Sequence, residues 1–470
     1  MRKQAITRRD FMRTTASTAS ALAARSFMLE PGALAAPAVQ ANSATPIGRP
    51  AAPSDTIRFG MIGIGMQGSG LLATSIQLPG VECAAACDLY DGRQELAKEI
   101  VNAPAEKPLA TTRHYKELLD NKDIDCIVAA VPDHWHKQII VDTCAAGKDV
   151  YCEKPMTHHV PEGFEIIAAE HKNNRIVQIG SQRRSSIVYA KAKELIAAGA
   201  IGDVCLIEGT MGRNDPCGAW VYPPPPDLSP RNLDWETWLG TAPKRAFDPI
   251  RYARWRAYQD YGEGIPGDLY VHLLTGVHFI MDISAPPARA FAAGGQFRWK
   301  EHGRDVPDCL TTLYEYPNFR LTIRVTLNTD ADEITRFCGT GGYLEIHDNA
   351  VTVFAQDGMD HEPCYYTAGY PRKLKQEYDA QWEAAHKVEP GTATIIPSQS
   401  FYTPPGYSAD REHLWNFFQS VRTRRPSVED GTFGNHAAIA CHMANFSYFQ
   451  KSVAVWDEAA KRIKADARAT

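Results

Sequence analysis

A chain of 470 residues, 44% of them hydrophobic and 22% charged, has the balance of an ordinary globular protein and length enough for two domains. Residues 1–35 hold six basic and two acidic side chains, a surplus of four positive charges, so the rest of the chain moves from the overall −5 to −9. That acidity excludes nucleic acid and anionic membrane as partners, and beyond the opening segment no window approaches the roughly 20 apolar residues of a membrane span.

The first element is an address. Thr7-Arg-Arg-Asp-Phe-Met12 precedes a soft Ala/Thr/Ser-rich stretch interrupted by Arg25, and Ala33-Leu-Ala35 offers a small-residue cleavage site. This is the pattern of a twin-arginine signal peptide over residues 1–35. It implies the twin-arginine export machinery as a partner, a periplasmic or otherwise exported location, and no membrane association after cleavage. Residues 36–55, rich in Pro and Ala, read as an extended arm.

From residue 56 to 180, strand-like and helix-like segments alternate. Strands are expected at Ile57–Ile62, Val81–Asp88, Ile124–Val131, Asp149–Cys152 and Ile176–Gly180. Helices are expected at Gly68–Gln77, Asp91–Val101, Tyr115–Leu119, His136–Ala146 and Pro161–Asn173. Alternation of this kind predicts a doubly wound parallel sheet, the Rossmann arrangement, with its ligand at the carboxyl ends of the strands. The first turn carries the chemistry. Gly63, Gly65 and Gly68 form G-x-G-x-x-G between strand and helix: one glycine for the tight turn, one for approach of backbone to a pyrophosphate, one for helix–strand packing. The helix N-terminus supplies the anion site. Asp88, closing the second strand, suits the two ribose hydroxyls of an adenosine and repels a 2′-phosphate, so NAD is favoured over NADP. Cys83, Cys87, Cys126, Cys144 and Cys152 fall at core positions of this domain and read as buried thiols. No C-x-x-C or H-E-x-x-H pattern occurs and no metal is implied.

Residues 181–470 have a different texture: a helix at Val188–Ala198, a strand at Val204–Met211, the run Tyr222-Pro-Pro-Pro-Pro226, then closely spaced strands at Ala288–Ala292, Leu310–Tyr316, Arg320–Thr326, Ile334–Cys338, Tyr343–Ile346 and Ala350–Phe354. This predicts an α/β domain with a largely antiparallel open sheet, so the whole is α/β plus α+β. A long polar insertion spans Gln356 to Asp410, and helices are expected at Asp410–Thr423 and Gly434–Ser447.

Several pieces stand in a telling order. They are the glycine turn with Asp88, Val131-Pro-Asp-His-Trp-His136, the run Ala145 to Pro155 ending in Glu153-Lys154-Pro155, Gly199-Ala-Ile-Gly202, Gly267-Asp-Leu-Tyr-Val-His272, Gly339 to Leu344, and the His413–Trp456 region. Over nearly the whole chain after the signal these resemble the Gfo/Idh/MocA oxidoreductases. Gln182-Arg-Arg-Ser185 and Leu233 to Gly240 resemble the exported branch of that family in particular. The resemblance implies Lys154 at the nicotinamide and the substrate hydroxyl, with Asp268 and His272 facing it from the second domain. Some members carry Tyr where this chain has His272. It implies a nucleotide site formed by Gly63, Gly65, Met66, Gln67, Gly68, Asp88, Pro132, His136, Glu153 and Lys154. It implies a homo-dimer or tetramer as the assembly, and Arg183, Arg184 and Arg256 read, as arginines, as candidate contacts to a polar or acidic sugar. Trp220, Trp235, Trp238 and Trp255 read chiefly as core, with sugar stacking as the alternative.

The chemistry is coherent. Oxidising a secondary alcohol needs hydride transfer to nicotinamide and loss of the hydroxyl proton, so a base must reach that oxygen. His272 takes a proton near neutral pH with little retuning, Asp268 orients the imidazole or substrate from one turn earlier, and Lys154 stabilises alkoxide character. Tyr270, two residues before His272, faces elsewhere on a helix. The expectation is an exported NAD(P)-dependent oxidoreductase of a sugar, sugar derivative or polyol, with its cofactor tightly bound and recycled because free nucleotide is scarce outside the cytoplasm. Two alternatives stay open: an NAD-dependent glycoside hydrolase or lyase working by transient oxidation and elimination, and a non-catalytic nucleotide-binding sensor.

Overall fold

The computed structural model describes residues 56–356, 363–386 and 398–466. The signal peptide and the arm expected at residues 1–55 lie outside them.

Residues 57–180 form a six-stranded sheet from β1 (Ile57–Ile62), β2 (Val81–Cys87), β3 (Ala110–Thr112), β4 (Cys126–Ala129), β5 (Asp149–Glu153) and β6 (Val177–Gly180). Its spatial order is β3-β2-β1-β4-β5-β6 and every pairing is parallel. The order reverses between β1 and β4, which opens a crevice at the carboxyl ends of those two strands. Helices cover each side of the sheet, so its central strands are buried on both faces: β4 and β5 have no exposed residue, and β4 reads as a continuous apolar run. The five cysteines expected in this core are all buried and free.

The second sheet has ten strands in the order β14-β13-β12-β11-β7-β10-β9-β8-β15-β16. These are β7 (Val204–Gly212), β8 (Arg289–Gly295), β9 (Cys309–Glu315), β10 (Arg320–Thr326), β11 (Ala331–Gly339), β12 (Gly342–His347), β13 (Ala350–Ala355), β14 (Gln399–Tyr402), β15 (Ala454–Asp457) and β16 (Arg462–Ala465). It is antiparallel except where β10 runs beside β7. One face is packed under the helices Ile187–Ala197, Val271–Ile280 and Gly431–Gln450, with Leu310, Tyr314, Leu321, Ile323 and Val325 turned inward. The other face is open, and alternation along the strands leaves Phe291 and Leu313 exposed there.

Several features escaped the sequence pattern, β3 among them. The polar insertion after Gln356 contains a helix, Arg372–Ala385, and returns as β14, which pairs Val351 with Phe401 at the sheet edge. The last described elements, β15 and β16, pair as an antiparallel hairpin. The helix Ala409–Thr423 crosses back to the first domain: Leu414, Phe417 and Phe418 are buried with Phe59, Leu71 and Tyr151. The second half of the chain therefore completes the core of the first.

Candidate active site

The glycine turn has the shape a dinucleotide requires. Gly63 has φ +84°, and a Cβ on it would collide with the Ala130 carbonyl; a Cβ on Gly68 would overlap the Gly63 carbonyl oxygen. Gly65 caps the helix Met66–Ser75 with no side-chain cap, so first-turn N–H groups remain open to an anion. Next to the turn, Asp88 Oδ2 accepts from Ile64 N–H at 2.8 Å and Oδ1 from Tyr90 N–H at 3.0 Å, which fixes the carboxylate beside the crevice. Asp88, Val131, Pro132 and Trp135 line a pocket there. The residues fit the cofactor. Arg93, from the helix after β2, lies 3.9 Å from Asp88, and its guanidinium carbon is 3.5 Å from where a Gly65 Cβ would be. Nothing in the spacing of the sequence marked it.

A cleft of about 560 Å³ opens along the strand ends and is walled by both domains. Gly65, Met66, Gln67, Pro132, Glu153 and Lys154 form one wall; Arg213, Tyr222, Trp255, Arg256, Asp268 and His272 form the other. Lys154 emerges directly after β5. Asp268 sits in a π-helical turn, Pro266–Tyr270, that runs into the helix Val271–Ile280. Gly267 lets this turn press against the lysine loop: a Cβ there would lie 2.6 Å from Glu263 Cβ and 3.2 Å from Pro155 Cγ.

The centre of the site is Asp268. Its Oδ1 accepts from Lys154 Nζ at 3.1 Å and from Arg256 Nε at 2.9 Å, and its Oδ2 from Trp220 Nε1 at 2.9 Å. Lys154 Nζ also donates to the Asp268 carbonyl at 2.8 Å. Burial raises the Asp268 carboxyl, but the charges of Lys154 and Arg256 outweigh it and hold the group well below the usual carboxylate range. Asp268 is thus a permanent anion, fully occupied by three donors, and not a base. His272 is the complement: its ring makes no hydrogen bond among the described residues, and burial, with Lys154 adding to it, pushes its pKa well below 6.5. The imidazole is neutral and open to the cleft. Tyr270 turns the other way, its hydroxyl donating to Leu310 O at 2.7 Å inside the core. Glu153 accepts from Gln67 Nε2 at 3.1 Å, and burial pushes it up to about 7.

Three expected residues are placed elsewhere. His136 is fully buried with its ring nitrogens 2.6 Å from Pro155 O and 2.9 Å from Val131 O, so it braces the two loops and has no nitrogen left for a ribose. Arg183 pairs with Glu333 and lies over Tyr189, and Arg184 donates to Val428 O at 2.6 Å and lies over Phe433. Neither lines the cleft, because the turn that carries them faces the helices beneath the second sheet. Arg256 does line it, as an Asp268 partner. Of the tryptophans, Trp235 and Trp238 stack in a core at 4.8 Å, Trp220 holds Asp268, and Trp238 and Trp255 both reach the cleft. Among the described residues no group of His, Cys, Asp and Glu is placed to hold a metal.

Residues 57–181 match the oxidoreductase family model with an NAD-binding Rossmann fold, and residues 222–289 match the C-terminal α/β domain of the same family. Both matched segments are those of the Gfo/Idh/MocA oxidoreductase family. The chain is 33% identical over 156 residues to inositol 2-dehydrogenase of Salmonella paratyphi B, covering 33% of this chain and 45% of that protein. Over 174 residues it is 29% identical to an alpha-N-acetylgalactosaminidase of Shewanella oneidensis, covering 36% and 38%. The matches thus span less than half the length of these curated relatives. Among solved structures, levoglucosan dehydrogenase in complex with NADH and levoglucosan aligns with TM-score 0.62 at 17% identity, over 85% of this chain and 98% of that one. Aldose-aldose oxidoreductase from Caulobacter crescentus complexed with glycerol aligns with TM-score 0.61 at 16% identity, over 85% and 99%. At such identities the likeness is one of fold, and it extends through both domains of this chain.

Proposed function

We propose that this protein is an exported NAD-dependent oxidoreductase of the Gfo/Idh/MocA family that interconverts a secondary hydroxyl and ketone on a sugar, sugar derivative or polyol. The observation that carries the reading is the pairing of Lys154, spent on one side on Asp268, with an unengaged neutral His272 in the same cleft. Lys154 Nζ has three protons; two go to Asp268 and the third is free to donate to a substrate oxygen. As that oxygen gains negative character, the ammonium stabilises it. His272 takes the hydroxyl proton on a ring nitrogen, or returns it in the reverse direction. Arg256 and Trp220 hold Asp268 so that the ammonium does not swing away. Nicotinamide, when bound, supplies the acceptor or donor of hydride. Asp88 favours NAD by leaving no room for a 2′-phosphate charge.

The twin-arginine pattern at Thr7–Met12 supports export, and export supports a cofactor loaded beforehand, held tightly and recycled in place. The open face of the second sheet, with Phe291 and Leu313 exposed, supports a homo-dimer or tetramer. The similarity to an alpha-N-acetylgalactosaminidase supports a second reading, glycoside cleavage by transient oxidation and elimination, which uses the same residue set. Purifying the exported protein without added cofactor, denaturing it and identifying the released nucleotide by absorbance and mass tests the reading. Stoichiometric NAD(H) supports it; none recovered from folded protein points to a freely exchanging dehydrogenase or a binding protein that has lost the chemistry, and a Lys154→Ala variant that binds the cofactor normally with unchanged activity points to a nucleotide-binding sensor. Aglycone release without net nicotinamide reduction selects the hydrolase.

A further inference from the structure

One charge in the cleft wall has no counter-ion among the described residues. Arg213 follows β7, its N–H donates to Thr326 O at 3.0 Å, and its stem rests on Gly218, whose Cβ position would lie 3.0 Å from Arg213 Cβ and 3.2 Å from its Cδ. Arg213 lines the wall it shares with Lys154, Tyr222, Arg256 and His272. There it makes no hydrogen bond or ion pair among the described residues. Asp215, two residues on, accepts from the Gly218 N–H through Oδ1 at 2.8 Å and forms no ion pair with Arg213.

The rest of the cleft does not balance it. Four cations line the space, Arg93, Lys154, Arg213 and Arg256, against three carboxylates, Glu153, Asp268 and Asp410. Lys154 and Arg256 both spend their charge on Asp268, and Arg93 faces Asp88. Burial pushes Glu153 up to about 7 and raises Asp410 as well, which weakens both as counter-charges. An arginine fork held free in a concave site of an acidic protein matches the planar, two-oxygen geometry of a carboxylate.

We infer that Arg213 binds a carboxylate of the substrate, so that the sugar presented to Lys154 and His272 is a uronate or aldonate in preference to a neutral hexose. This rests on the carbohydrate-oxidoreductase reading for the identity of the cleft, and the test separates the two.

Nicotinamide-loaded protein is titrated with matched pairs: glucose and glucuronate, galactose and galacturonate, mannose and mannuronate. Calorimetry reads binding and nicotinamide absorbance reads turnover. At least one uronate should bind about ten-fold or more tightly than its neutral partner. Arg213→Gln should weaken that uronate by about ten- to a hundred-fold, the loss of a charge-assisted pair, without changing nucleotide content or the neutral partner's affinity. A uronate that binds through Arg213 without being oxidised upholds the inference and overturns the dehydrogenase reading. A neutral sugar that is oxidised while uronates bind no better, or an Arg213→Gln variant with undiminished uronate affinity, overturns the inference and leaves that reading standing. Binding of neither class also overturns it.

Discussion

Replacing Asp268 by asparagine keeps the shape of the side chain and removes the charge that organises the cleft. Three donors meet the carboxylate, from Lys154 at 3.1 Å, Arg256 at 2.9 Å and Trp220 at 2.9 Å. The side chains of Asp268 and Lys154 are 17% and 12% exposed, so solvent screens the pair only in part. A hydrogen bond to a charged group contributes about 1.5–3 kcal/mol, and two of the three here join opposite charges. Asparagine retains one neutral acceptor and offers an N–H to the remaining donors, which leaves a net loss of about 2–4 kcal/mol. If Lys154 acts on the substrate oxygen only from this anchored position, kcat/KM falls about 30- to 1000-fold, mostly in kcat. The assay is steady-state nicotinamide reduction with a sugar or polyol the wild type accepts, beside nucleotide content and a denaturant midpoint as controls. A variant that keeps its cofactor and fold and stays within about three-fold of wild-type kcat/KM would refute the anchoring role.

Other outcomes follow from the same geometry. Because the pKa of His272 is pushed well below 6.5 by burial, and its neutral form is the base, kcat/KM should stay level as pH drops through 6.5; an acid limb centred at 6.5 or higher contradicts that, and His272→Phe should abolish turnover while sparing nucleotide binding. Burial raises Glu153 from 4.5 to about 7, so its contribution to stability is complete below about 4.5 and is lost as pH rises through about 7. Glu153→Gln should therefore raise the stability of cofactor-free protein at pH 8 relative to pH 5, by up to ~3 kcal/mol, in denaturant titrations at the two pH values. Asp88→Ala, which frees Arg93 of its partner at 3.9 Å, should move the NADP-to-NAD ratio of kcat/KM upward by about ten-fold or more; an unchanged ratio removes Asp88 from cofactor choice. Gly267→Ala forces a methyl against Glu263 Cβ and Pro155 Cγ and should cost about 1–3 kcal/mol, seen as a lowered Tm.

The sequence by itself determined the nucleotide half. Period and punctuation are local there: apolar runs alternate with helical segments, and the glycines and Asp88 sit at fixed offsets from strand ends, so the sheet order and the crevice follow from chain connectivity and handedness. Lys154 and the Asp268–His272 pair were legible because each lies in a short motif. What only the tertiary structure decided is how those motifs meet. Asp268 is an anchored anion and not a base because Arg256 and Trp220, 12 and 48 residues before it, converge on its two oxygens. His136 is withdrawn from the cofactor because the Pro155 and Val131 carbonyls claim its ring. The helix Ala409–Thr423 closes a core whose other members lie some 300 residues earlier, and Arg213 lines the cleft with no ion pair among the described residues. Hydrogen-bond demand, charge pairing and burial are settled between segments distant in sequence, and no local period carries them.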